Sequence, residues 1–229
     1  MAKFNQEKFN QFILKNNVIG FFKKPVTFKS GRIAHEYVNW RNIAEDVFLL
    51  DELADFVIAF VEDLGLQPDC FYGVPEGATK LGIITQYKWA KKSPNYGLGS
   101  HILPMGRKQP KDHGDPKDKY FVGAPKGKVI ILEDITTTGS STLETIDNLK
   151  KIDVQIIAAI ILTNRMELTD DGKPAKEVIE SKGVPYFQMS NSLELLPKAY
   201  QKLKPGEEIA KKVEEYYQKY GVEKLKLVR

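Results

Sequence analysis

The sequence predicts an α/β fold with a central, mostly parallel sheet and flanking helices. Short apolar runs alternate with helical stretches along most of the chain. The runs are continuously apolar rather than alternating, as strands buried on both faces are. Gly-containing loops follow them. The composition agrees: 229 residues, 42% hydrophobic and 28% charged, exclude a wholly disordered chain. A chain of this length buries roughly 70% of its extended surface, enough for one core or one domain with a small appendage.

The elements follow in order. Phe4 to Leu14 places Phe4, Phe9, Phe12 and Ile13 near helical spacing. Val18 to Phe28 reads as extended, interrupted at Pro25, and Ser30-Gly31 signals a turn. Ile43 to Leu64 predicts one helix, with Val47, Leu50, Ala54, Val57, Ile58 and Val61 on one face and Gly65 closing it. Cys70–Val74 predicts a strand and Gly77–Ala90 a helix. His101–Met105 predicts a further strand, followed by a long polar loop. Val129–Leu132 and Val154–Leu162 predict strands, and Thr142–Leu149 and Pro174–Ser181 helices. Pro185 to Phe187 is a last short apolar segment. The tail predicts a helix packed through Ile209, Val213, Tyr216 and Tyr217. Ligands of parallel sheets bind at the carboxyl ends of the strands, so the loops after the apolar runs carry the chemistry.

Several classes are excluded or disfavoured. Cys70 is the single cysteine and forms no intrachain disulfide. The longest apolar run, Ile156 to Leu162, is far short of the ~20 residues of a membrane helix. The first ten residues have no apolar signal core. The expectation is a soluble, cytoplasmic protein.

The most informative segment runs from Val129 to Ser141, VIILEDITTTGSS. A buried strand ends in two carboxylates, and small hydroxyl residues with one Gly then open a helix. Unpaired N–H groups at a helix start, aided by the helix dipole, suit a phosphate. Thr137, Ser140 and Ser141 add hydroxyl donors, and Gly139 permits close backbone approach. Carboxylates suit sugar hydroxyls or a hydrated divalent cation. Phosphate on one side and diol on the other describe a ribose 5-phosphate. The competing reading is a plain capped strand-to-helix connection, with acids placed near a helix start.

These residues resemble the motif of type I phosphoribosyltransferases that binds 5-phosphoribosyl 1-diphosphate (PRPP). The resemblance implies the fold of that family, with a small N-terminal hood. It implies that Glu133 and Asp134 hold the ribose hydroxyls, and that Thr136, Thr137, Thr138, Gly139, Ser140 and Ser141 cradle the 5-phosphate. The expected division is a hood and substrate segment at 1–42, a catalytic core at 43–195 and a C-terminal helical extension at 196–229.

Arg107, Lys108, Lys111 and His113 crowd four potential cations into seven positions. A long loop of this kind is often a lid or binding element. The order Arg-Lys-x-x-Lys-Asp-His-Gly resembles the mobile catalytic loop of the orotate phosphoribosyltransferase family. The resemblance implies diphosphate binding by Arg107, Lys108 and His113. It makes Lys111 the main charge stabiliser, and Lys111, His113 and Asp134 the catalytic set. Phe28-Lys29-Ser30-Gly31-Arg32 is similar to the family's N-terminal substrate segment, with Lys29 on diphosphate. Tyr37 falls where an aromatic stacks on the pyrimidine, and Thr137 joins the orotate site. Arg165 matches an arginine for the orotate carboxylate, a good partner for a guanidinium fork. Asn164 precedes it where the family usually has Asp. Gly73–Lys80 resembles a diphosphate-binding loop, with Glu76-Gly77 where a central lysine is common and Lys80 one turn later.

The implied reaction joins orotate and PRPP to give orotidine 5′-monophosphate and diphosphate, in de novo pyrimidine biosynthesis. The implied cofactor is Mg²⁺, held mainly by PRPP and water with no direct protein ligand. The implied assembly is a homodimer, without nucleic acid or membrane. Two other readings share the motif: a purine phosphoribosyltransferase, and a regulatory protein that senses PRPP without catalysis. Against them stand the cationic loop, Arg165, and an N-terminal segment too short for a DNA-binding domain. The net charge is only +4, but residues 1–32 hold seven Lys and Arg against Glu7 alone. That concentration suits a polyanionic small substrate.

Overall fold

The structure is a computed structural model. It describes residues 3–28, 31–111, 113 and 119–228. The central sheet has four parallel strands: β3 (Cys70–Gly73), β6 (Gly127–Thr136), β7 (Val154–Asn164) and β8 (Tyr186–Gln188), in the order β3-β6-β7-β8. β6 and β7 are buried through Val129–Leu132 and Ala158–Leu162. Their β-branched and aliphatic side chains face packed elements on both sides, as the continuous apolar runs require.

One sheet face packs on α1 (Gln6–Lys15), α3 (Val47–Asp63), α7 (Ser192–Leu203) and α8 (Glu207–Tyr220). Phe9, Ile13, Val57, Val213 and Tyr217 belong to this core. The other face packs on α5 (Ser140–Leu149) and α6 (Ala175–Glu180), through Ile146, Leu149 and Ile179. α4 (Thr79–Lys92) follows β3. The N-terminal hairpin pairs β1 (Ile19–Thr27) with β2 (Ile33–Val38) antiparallel. β1 runs through Pro25 because the register shifts between Phe21 and Val26. Such a shift releases the proline from ladder bonding.

Two expectations are corrected. The predicted helix from Ile43 to Leu64 is two helices, α2 (Arg41–Glu45) and α3. Asp46 is extended and its carboxylate accepts from Leu49 N–H at 2.9 Å, so it caps a new helix rather than continuing the old one. Val47, in the first turn of α3, is exposed. The second correction concerns His101–Met105. Only β4 (Met105–Gly106) is a strand, and it pairs antiparallel with β5 (Phe121–Val122) away from the central sheet. Pro104 has no N–H to give a ladder. No helix among the described residues is long and apolar enough to cross a membrane.

Candidate active site

The site forms where β6 and β7 end side by side. Thr136 pairs with Asn164 in the sheet register. One residue further, Arg165 N–H donates to Thr136 O at 2.9 Å. The start of the hydroxyl loop and Arg165 are therefore fixed to each other by backbone.

After Thr136 the chain turns into α5. Gly139 caps the helix at φ 82°, a conformation costly for residues with a Cβ. Glu133, Ile135 and Thr136 to Ser141 line a small cavity of about 120 Å³. A larger cavity of about 540 Å³ lies beside it, lined by Phe28, Arg32, Val38, Ile135, Thr137, Thr138, Ser140, Arg165 and Asp170. Ile135, Thr137, Thr138 and Ser140 border both. The small cavity has the helix start and hydroxyls that suit a phosphate. The larger one offers an apolar wall and a guanidinium.

Glu133 is buried and accepts from Thr142 Oγ1 at 3.0 Å. Burial, then the Asp134 charge beside it, raise its pKa well above the ordinary carboxylate value. Burial also raises Asp134, against the Ile135 N–H, a hydrogen bond with Glu133 and the charge of Arg41. Burial and mutual repulsion therefore oppose ionisation of both acids together. Gly77 lies against Asp134: a Cβ there would stand 2.5 Å from the carboxylate. The loop after β3, with a cis Pro75–Glu76 peptide, thus reaches the acid pair. Lys80 Nζ donates instead to Ala44 O at 3.0 Å, tying α4 to α2.

Arg165 is buried. Its Nε donates to Glu167 Oε1 and its Nη2 to Glu36 Oε1, each at 2.6 Å. Its guanidinium carbon lies 4.5 Å from the centre of the Phe28 ring. Burial opposes the charge, but Tyr217, Glu167 and Glu36 outweigh it and hold the pKa above its ordinary value. Glu36 is raised, because burial outweighs its ion pair with Arg165.

The sequence expectation puts Tyr37 against the pyrimidine. The Tyr37 ring packs against Phe22, with centroids 4.9 Å apart, and does not line the large cavity. Strand side chains alternate, so Val38 and Glu36 share the face toward Arg165 and Tyr37 takes the opposite one. The apolar wall is formed by Phe28 and Val38. Arg107 N–H donates to Tyr120 O at 2.9 Å and Lys111 N–H to Lys119 O at 2.8 Å. Lys108 is exposed and pairs with Glu76, while His113 is exposed. Lys29 lies outside the described residues. Glu36, Glu167, Tyr216 and Tyr217 were not legible as site residues in the sequence. The available signals were an acid two positions after Arg165 and an acid inside a β-strand pattern.

No family model matches the chain. The orotate phosphoribosyltransferase of Clostridium acetobutylicum is 30% identical over 232 aligned positions, spanning 97% of this chain and 100% of the relative. The chain belongs to the orotate phosphoribosyltransferase family. Its relative in Polynucleobacter asymbioticus is 29% identical over 196 positions, spanning 82% of this chain and 83% of that one. Among solved structures, the orotate phosphoribosyltransferase of Francisella tularensis is 26% identical with a TM-score of 0.67, covering 93% of this chain and 99% of its own. The type I phosphoribosyltransferase fold expected from the sequence is thereby established, with all four strands of the central sheet parallel.

Proposed function

We infer that this protein transfers the phosphoribosyl group of PRPP to orotate, giving orotidine 5′-monophosphate and diphosphate in pyrimidine biosynthesis. The observation that carries the reading is the backbone contact of Arg165 with Thr136. It places a guanidinium suited to a carboxylate beside a cradle suited to the 5-phosphate. The relatives' shared name supports orotate over a purine acceptor.

The bond from ribose C1 to the diphosphate oxygen breaks, and a bond from C1 to a ring nitrogen of orotate forms. Diphosphate leaves with the bonding electrons, and the ring-nitrogen proton passes to solvent. The chain has little covalent chemistry to perform. It positions the two substrates and answers the charge that separates between them. Thr136 to Ser141 hold the 5-phosphate, and Glu133 and Asp134 receive the ribose hydroxyls. Thr137 and Arg165 meet orotate against Phe28 and Val38. Lys29, Arg107, Lys108 and His113 bind diphosphate, and Lys111 stabilises its departure.

Mg²⁺ belongs to the reading. The hard oxygen donors of the Glu133–Asp134 pair suit a hydrated Mg²⁺ held mainly by PRPP. When bound, it offsets charge on the diphosphate. The reading also includes the division at 1–42, 43–195 and 196–229, and a cytoplasmic location. It includes a homodimer in which the loop bearing Lys111 reaches the neighbouring site.

The deciding assay incubates purified protein with PRPP and Mg²⁺. Orotate is expected to disappear at its absorbance maximum, while hypoxanthine persists. Consumption of hypoxanthine and not orotate would overturn the acceptor assignment.

A further inference from the structure

The segment after β7 is held from behind by the C-terminal helix. Tyr217 OH donates to Arg165 O at 3.0 Å, and Tyr216 OH donates to Glu167 Oε2 at 2.8 Å. Leu168 N–H donates to Tyr220 O at 2.7 Å and Val222 N–H to Met166 O at 2.8 Å. Glu167 also bridges Gly221. Every residue of the loop from Arg165 to Leu168 is thus bonded to the segment 216–222. Both tyrosines are buried, so the hydrogen bonds act in a medium that strengthens them.

Glu167 is the hinge of the arrangement. One of its oxygens takes Arg165 Nε. The other takes both Arg32 Nη1, at 2.8 Å, and Tyr216 OH. Glu36 takes Arg165 Nη2. The two acids therefore occupy the Nε–Nη2 edge, the edge an arginine commonly offers a carboxylate. Among the described residues, Nη1 has no hydrogen-bond partner. Arg165 lines the large cavity, and how its guanidinium sits there is set by where Glu167 and Glu36 hold it.

We propose that Tyr216 is a positioning residue for the acceptor base, acting through Glu167 on Arg165. The C-terminal helix then sets the affinity for the base carboxylate and leaves PRPP unaffected. This rests on the orotate reading above. Removing the Tyr216 hydroxyl leaves the ring in the core but takes one donor from Glu167. Glu167 moves toward Arg32, and the Arg165 fork turns with it.

The test compares Tyr216→Phe with Val213→Ala, which opens a cavity one turn earlier in the same helix without taking a donor from Glu167. Tyr216→Phe is expected to raise KM for orotate about five- to tenfold, with kcat and KM for PRPP within about twofold of wild type. Val213→Ala is expected to lower the melting temperature without moving KM for orotate. The second readout is the Nε–H resonance of Arg165, identified by its loss in Arg165→Lys. It is expected to shift in Tyr216→Phe and not in Val213→Ala. An unmoved orotate KM in Tyr216→Phe, or an equal rise in both variants, overturns the proposal. If wild type consumes no orotate, the base reading fails instead. The resonance then decides alone: a shift confined to Tyr216→Phe upholds positioning, and no shift overturns it.

Discussion

Lys108 Nζ lies 3.3 Å from Glu76 Oε2, joining the cationic loop to the loop that follows β3. Both side chains are mostly exposed, at 65% and 72%. An exposed pair of this kind adds little stability, so its consequence is for charge. Glu76 stands where the family commonly has a lysine, and it occupies one of the cations expected to meet diphosphate. Glu76→Gln should free Lys108 and lower KM for PRPP by about two- to threefold. The melting temperature should hardly change. Initial rates over a PRPP series at two salt concentrations check this, and the gain should shrink at the higher salt.

Lys111 is fixed by its backbone at the base of the loop, through the bond to Lys119 O. If its ammonium answers the charge on departing diphosphate, it acts in the transition state more than in the ground state. Lys111→Ala should then lower kcat by about a hundredfold or more. The dissociation constant for PRPP, measured by calorimetry, should stay within about threefold. Equal losses in both would make Lys111 a binding residue only.

The sequence revealed the sheet and the phosphate side of the site more fully than the base side. Val129–Leu132 and Ile156–Leu162 are apolar without interruption, and burial on both faces is the one environment that suits them. The hydroxyls and Gly139 lie contiguous in sequence, so their chemistry is local and readable. The end around Arg165, proposed to meet the base, is assembled from β2, the loop after β7 and α8, whose residues are far apart in the chain. Glu36, Glu167 and Tyr216 meet only through tertiary packing, and no periodicity announces that. Tyr37 is hard to place from sequence for a related reason. A motif gives the neighbourhood, but the strand's period of two decides which of Tyr37 and Val38 faces inward. The helix break at Asp46 was visible as a capping residue, yet the apolar spacing on both sides concealed it.

Gly77 offers a test of the contact between the loop after β3 and the acid pair. An added Cβ would stand 2.5 Å from Asp134 Oδ2, so the carboxylate must rotate. Rotation breaks its bond with Ile135 N–H, at 2.9 Å. Gly77→Ala should therefore raise KM for PRPP about tenfold, if the displaced carboxylate is the group proposed to meet ribose. KM for orotate, proposed to bind at Arg165, should move far less. A fall in thermal stability with both KM values unchanged would show that Asp134 does not contact PRPP.

The acid pair also predicts a pH dependence of stability. Burial first, and the Asp134 charge second, raise the pKa of Glu133 in the folded state. Between the ordinary carboxylate range and that raised value, the folded protein holds a proton that the unfolded chain has released. Stability therefore falls as pH rises through this window, and levels off once Glu133 ionises in the folded state. Glu133→Gln removes the titration while keeping the shape. Its amide oxygen can still accept from Thr142 Oγ1, which is 3.0 Å from the carboxylate oxygen. Its amide N–H can donate to Asp134 as the protonated acid does. The variant should melt about 2–4 °C above wild type near pH 8, and at nearly the same temperature near about pH 4. The same substitution should weaken PRPP turnover, because an amide, unlike the acid, cannot give up its proton to become the carboxylate proposed to meet ribose hydroxyls and hydrated Mg²⁺. Melting curves across the pH range, recorded without substrate, isolate the stability effect from the catalytic one. A melting difference that does not grow with pH would mean that Glu133 is not held protonated in the folded protein.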